Sequence, residues 1–265
     1  MVQQPDWIQH IIHHFKEKGI KISVLSPQVV QMNLLVVCFV SADTNEKEFP
    51  ETDLVIHEDI FRQRTSQVIM RLHSLLGLNM KRINGRNTRV QLVTKNAARS
   101  FTDENHLMGY CNGKVHLGLF LKDELVAVAV FSGIRQMKYE NPPYTSSELE
   151  RFCSVADYSV LGGLDKLVKY YLKNYPADDL ITTTDADWSK GNVYSHIGFE
   201  WVNKSLPVRF TVNRNSFERR VVTESDKLSK DEYEVRNRGN IKFRIINKFR
   251  ESALNPKRVE DVRQS

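Results

Sequence analysis

Cysteine is scarce in this chain, at 3 of 265 residues. Cys38, Cys111 and Cys153 stand apart with no CxxC spacing, which argues against both a disulfide framework and a zinc ribbon. A reduced, cytoplasmic setting follows as the default expectation. Long apolar runs are missing too. None approaches the roughly 20 residues of a membrane span. The opening Met-Val-Gln-Gln-Pro-Asp lacks the basic and then apolar regions of a signal peptide. HExxH, GxSxG and GxxxxGK[ST] are all absent, so zincin, serine-hydrolase and P-loop chemistry have no foothold in motif form.

Positive charge is unevenly placed. From Asn203 onward there are 16 Lys and Arg against 9 Asp and Glu, whereas the preceding residues hold 22 against 23. A basic segment on a neutral body is either a solvated tail or a surface for phosphate. The second reading makes nucleic acid, with DNA favoured, the expected partner and nominates Arg214, Arg219, Arg220, Lys242 and Arg244.

Hydrophobic residues make up 41% of the chain, enough for a sizeable core. Asp6 reads as an N-cap with Gln9 three residues on, followed by Ile8, Ile11, Ile12 and Phe15 at helical spacing. His10, His13 and His14 share a face there and read as polar surface; no metal site is expected. Leu34–Val40 is a continuous apolar run, hence a buried strand. The stretch from Leu54 predicts a strand running into one helix that ends at Gly77, giving a small α/β unit over residues 1–80. "MKRINGRNT", Met80–Thr88, reads as a basic linker with an Asn-Gly turn.

A second block over residues 89–203 predicts the order β-α-β-β-β-α-β-α-β, and residues 204–265 form a basic extension with strand-like pieces. The expected class is α/β (α+β), a mixed and mostly antiparallel sheet flanked by helices. Two places in this block could carry chemistry. Gly162-Gly163 opens a helix, where backbone N–H groups and the helix dipole suit an anion, or where two glycines merely permit a tight turn. Asp187 and Tyr194 follow the next strand, at the carboxyl edge where open α/β sheets bind ligands. Asp187 could handle an amine proton or cap a helix; Tyr194 could protonate a leaving group or be a half-buried phenol. His106 ends a helix, near its negative pole, and His116 alternates with Val115 and Leu117 as an outward strand residue.

The element order, the glycine-entered helix and "YSHIGFEWV" resemble the GNAT acyltransferase superfamily over Arg89–Asn203. That likeness implies an acyl donor such as acetyl-CoA, with the tyrosine four residues ahead of Gly198-Phe199 protonating the departing thiolate. The superfamily's Gln/Arg-x-x-Gly-x-Gly/Ala loop is matched only by Ser159-Val160-Leu161-Gly162-Gly163-Leu164, which lacks the leading Gln/Arg. "ELERF", Ser159, "YP", "TDAD" and "GNVY" are similar to the Mom-type phage DNA-modification branch. This implies His106, Ser159, Asp187 and Tyr194 as an active site, with an adenine amine as substrate and an acyl or aminoacyl donor. Ala98–Phe243 also resembles the C-terminal module of phage-borne homing endonucleases. There "IHEDIFRQRTSQVIMRLHSLLG" looks like the closing piece of a Vsr-like nuclease, so residues 1–80 would be a nuclease remnant. That kinship implies the alternative function, a non-catalytic DNA-binding module. A generic N-acetyltransferase is the third reading.

Overall fold

The computed structural model describes residues 4–42, 50–138, 143–223 and 226–250. In chain order the elements are α1 (Asp6–Glu17), β1 (Ile22–Val24), β2 (Val29–Met32), β3 (Leu35–Val40), β4 (Leu54–His57), α2 (Glu58–Gln63) and α3 (Thr65–Leu75). Next come β5 (Lys81–Asn84), a 3-10 turn (Gly85–Asn87), β6 (Arg89–Leu92), α4 (Lys95–Asn105), β7 (Val115–Leu121), β8 (Glu124–Phe131), β9 (Arg135–Met137) and β10 (Tyr144–Ser154). The chain continues through β11 (Tyr158–Leu161), α5 (Gly163–Asn174), β12 (Asp179–Asp185), α6 (Asn192–His196) and β13 (Glu200–Lys204). It closes with β14 (Arg209–Asn213), β15 (Arg219–Val221), β16 (Glu232–Arg236) and β17 (Asn240–Ile246).

These elements form two compact units, and the chain passes between them more than once. One unit takes residues 1–78, 184–192 and 203–241; the other takes 79–183, 193–202 and 242–265. The basic extension is therefore no domain of its own. Its first part completes the N-terminal unit and its last strand enters the large sheet.

In the N-terminal unit, β1-β2-β3 is an antiparallel meander and β4 lies parallel to β3. β14 sits between β15 and β16 in a separate antiparallel sheet. α1 buries Trp7, Ile8, Ile11, Ile12 and Phe15, the stripe expected from their spacing. Each such side chain removed from water contributes about 1.5–3 kcal/mol. Asp6 does not cap this helix. It lies in the first turn, where its charge still suits the dipole, and Pro5 is the capping residue. The helix expected after β4 is two. Arg64 leaves helical geometry at φ −140°, and the Thr65 hydroxyl donates back to the Phe61 carbonyl at 2.7 Å, ending α2 and restarting the chain as α3.

The second unit is built on an eight-stranded sheet in the order β13-β17-β12-β10-β8-β7-β6, with β9 paired to β10. It is mixed and mostly antiparallel; β10 and β12 run parallel. Val128 and Val130 of β8 pack with Ala98 and Phe101 of α4. Phe131, the next residue, stacks on Tyr171 of α5 with centroids 4.1 Å apart. Alternation along the strand thus puts α4 and α5 on opposite faces of the sheet. Thr94 caps α4 by accepting the Ala97 N–H.

Candidate functional site

The parallel pair β10 and β12 defines the most site-like geometry. Their register runs from Ser146–Asp179 to Leu149–Thr182 and stops there, although β10 continues to Ser154 against β8. A bulge between Leu149 and Arg151 shifts the register with β8 at the same place. The Thr182 hydroxyl donates to the Leu149 carbonyl at 3.0 Å and pins the point of divergence. A bulge bends its strand and re-aims side chains, and here it opens a fork at the carboxyl ends of two parallel strands.

Glu150 sits in that bulge, on the α4 side. The Cys111 thiol approaches its carboxylate at 3.6 Å, and burial pushes that thiol up to about 11, so it stays protonated. Beside it the Tyr110 phenol and His116 Nε2 are 3.0 Å apart, and Arg99 lies over the Tyr110 ring. Burial lowers the His116 pKa, helped by the Lys95 charge, and burial raises that of Tyr110. Both shifts favour the uncharged forms, and which partner donates depends on the histidine tautomer. His116 was expected to face outward from β7. It is buried, because α4 and the segment after it cover that face and Tyr110 supplies the partner. Nothing in the period-two pattern distinguishes the two faces of a strand covered on both sides.

The nominated residues are distributed as follows. His106 is the C-cap of α4, and its Nδ1 accepts the Met108 N–H at 3.0 Å. Asn105, its neighbour, accepts the Ala156 N–H at 2.9 Å, so this corner lies just past the end of β10. Ser159 is in β11 and accepts from the Asn79 side chain at 2.9 Å. Tyr194 is on α6, half-buried against Phe199 and Phe243. Gly198 ends that turn with φ +95°.

Asp187 belongs to the N-terminal unit and is 1% exposed. His57 Nε2 donates to its carboxylate at 3.1 Å, and the Arg238 backbone N–H does so at 2.9 Å. Arg238 Nε approaches the same carboxylate at 3.4 Å. Asp185, which accepts the Asp187 N–H, has its pKa raised by burial and by the Asp187 charge. So the Asp187 carboxylate is a buried anchor for His57 and Arg238, residues no spacing in the sequence connects to it.

Gly162 and Gly163 do make the tight turn into α5, with Gly162 at φ +72°. The turn is covered on one side only: Leu161 and Gly162 are exposed, whereas Gly163 is buried. Met80–Thr88, read from the sequence as a linker, instead forms β5 and the 3-10 turn. β5 pairs in parallel with β11, from Lys81–Tyr158 to Asn84–Leu161. Gly85 then packs so tightly on the glycine turn that a Cβ there would lie 2.8 Å from the Leu161 carbonyl and 3.1 Å from Gly163 N. With β5 paired along β11 and Gly85 against Gly163, only the exposed Leu161–Gly162 side of the turn is left for the diphosphate of coenzyme A.

Among the described residues, several arginines of the basic extension pair with carboxylates, some buried and some half exposed. Arg219 holds Asp59 in a two-pronged pair at 2.7 and 2.9 Å, and Arg220 pairs with Glu232. Arg244 pairs with Asp179, Arg250 with Asp178 and Arg238 with Asp187. Four of these five carboxylates lie before Asn203. Part of the positive charge at the end of the chain, carried by Arg219, Arg238, Arg244 and Arg250, thus compensates acids earlier in it. Of the remaining nominees, Arg214 lies over the Tyr233 ring and Lys242 is in β17.

No family model and no curated protein matches the chain. Among solved structures it is similar to a GNAT family acetyltransferase from Elizabethkingia anophelis with acetyl-CoA bound, at 13% identity and TM-score 0.37, over 60% of this chain and 98% of that one. A Bacillus subtilis acetyltransferase in complex with CoA gives 14% identity and TM-score 0.37, over 60% and 98% of the chains. The ribosomal-protein-S18-alanine N-acetyltransferase from Escherichia coli gives 11% and 0.37, over 60% and 93%. The element order of the second unit, β6-α4-β7-β8-β10-α5-β12-α6-β13 with β9 and β11 as short additions, is the GNAT-like order expected from the sequence.

Proposed function

We propose that the second unit is a GNAT-type transferase that moves an acyl group onto an amine at the fork between β10 and β12. The observation that carries this reading is the fork itself, with Glu150 in the bulge at its mouth. A carboxylate there can take the proton an amine loses as its nitrogen bonds the acyl carbon. The neutral His116 and protonated Tyr110 beside it form a short proton-carrying pair. Tyr194, on the helix that follows β12, is the group to return a proton to the departing carrier. The acceptor favoured by the sequence resemblance is an amine on a nucleic-acid base; a protein or small-molecule amine is the generic alternative.

The test is acyl transfer by the full chain, using acetyl and aminoacyl thioesters and esters with DNA, nucleosides and peptide amines as acceptors, read by mass spectrometry. The expected result is a modified amine, lost in Glu150→Gln with the fold intact by circular dichroism. No transfer from any donor, or full activity in Glu150→Gln together with Tyr194→Phe, would overturn the reading.

A further inference from the structure

Helix α5 begins where an anion would be held if the glycine turn were bare, and five features of the second unit surround that place. β11 already pairs with β5 along the strand that leads into the turn. Gly85 lies on the turn at van der Waals distance, and any larger residue there would strike the Leu161 carbonyl. Lys166, the cation one turn into the helix, is committed to the Gly85 carbonyl at 3.0 Å and to the Thr88 carbonyl. Asp165, in the first turn, places a carboxylate beside the helix N-terminus, its charge already answering the dipole. Buried Thr88 closes the 3-10 turn by donating to the Gly85 carbonyl at 2.7 Å.

We infer that the segment Lys81–Thr88 is the built-in occupant of this cradle, so that the donor of the proposed transferase is held without a diphosphate handle. This rests on the transferase reading above and narrows its donor. The fitting class is an acyl or aminoacyl ester or thioester recognised through its acyl group and the arm next to it. The charge pattern agrees. A diphosphate approaching α5 would meet the Asp165 carboxylate in the first turn and Gly85 packed against Gly163 N. Lys166 could not turn to it without abandoning two carbonyls of a buried turn.

Calorimetry on the full chain decides it, with S-acetyl-pantetheine and acetyl-CoA as paired ligands and inorganic pyrophosphate as competitor. A charge-assisted hydrogen bond contributes roughly 10- to 100-fold in affinity, so a working diphosphate site would separate the two ligands by at least about 30-fold. The expected result is affinities within about 3-fold of each other and no displacement by pyrophosphate. A large preference for acetyl-CoA that pyrophosphate competes away overturns the inference and leaves the transferase reading standing. Binding of neither thioester, together with no transfer from aminoacyl esters, overturns both. Gly85→Ala supplies a second measure: it forces the segment off the turn. A gain in acetyl-CoA affinity of about 10-fold, with S-acetyl-pantetheine unchanged, is expected if Gly85 is what closes the cradle, and an unchanged ratio counts against it.

Discussion

Asp59 and Arg219 lie 160 residues apart in the chain and meet in a bidentate pair at 2.7 and 2.9 Å. Asp59 is 1% exposed, so its charge depends on that guanidinium. Arg219→Ala would strand a buried carboxylate and should cost about 3–5 kcal/mol, measured by urea unfolding. Arg219→Ala with Asp59→Leu should recover most of that loss; no recovery would mean that the arginine acts through its packing over Phe210 instead.

The Asp187 anchor makes a parallel claim. Arg238 also donates to the Thr52 carbonyl at 2.7 Å and to the Ala186 carbonyl at 2.6 Å. Arg238→Ala should therefore destabilise by at least about 3 kcal/mol, removing a charged donor from several buried acceptors. Asp187→Asn should cost less, since the amide oxygen still accepts from the Arg238 backbone. Near-normal stability of Arg238→Ala would show that this cluster is not structural.

Acid should weaken the fold through histidines kept neutral. His14 and His73 face each other with their Nε2 atoms 2.8 Å apart, a spacing that accommodates one shared proton. Burial, then the His73 charge, lowers the His14 pKa; burial lowers that of His116. The unfolded chain takes up these protons first, so stability is complete above the ordinary histidine value of 6.5 and falls as pH drops below it. Melting temperature from pH 8 to 5 should show this decline, and His14→Gln with His116→Gln should flatten it. An unchanged slope in the double variant would refute the assignment.

Gly239 has φ +87°, and a Cβ there would lie 2.3 Å from the Ser205 carbonyl. Gly239→Ala combines left-handed strain with a clash against backbone. It should cost more than the roughly 1–3 kcal/mol of a strained residue alone. Thermal unfolding measures it, and a loss below about 1 kcal/mol would contradict the geometry.

Nucleic-acid affinity, if present, should depend shallowly on salt. Arg219, Arg220 and Arg244 already have carboxylate partners, so they are less available to neutralise phosphates and release the cations condensed on the nucleic acid. The slope of log K against log salt should be smaller in magnitude than about 3. A slope near that of a protein with six or more phosphate contacts would show these ion pairs opening on DNA.

Much of the fold was legible in local pattern. The stripe Ile8, Ile11, Ile12 and Phe15 marked α1, the apolar run Leu34–Val40 marked β3, and Gly162-Gly163 marked the start of α5. These depend on periodicity and capping, which act within a few residues. The site was less legible. Glu150 acquires meaning only because a bulge and the end of a parallel pairing coincide there. His116 gains its partner from a tyrosine six residues upstream across a turn. Asp187 looked like a groove residue, because the sequence could not reveal that His57 and Arg238 would close over it.

By itself, the sequence determined the main helix and strand order of the second unit, the hydrophobic stripes and the location of the positive charge. Tertiary structure alone decided where that charge goes, which glycines are covered, and which carboxylate faces the fork. The reason is range. Periodicity and turn chemistry are set by neighbours along the chain. Burial, ion pairing and backbone packing join residues as distant as Asp59 and Arg219, and their outcome rests on desolvation and geometry that exist only once the chain has closed.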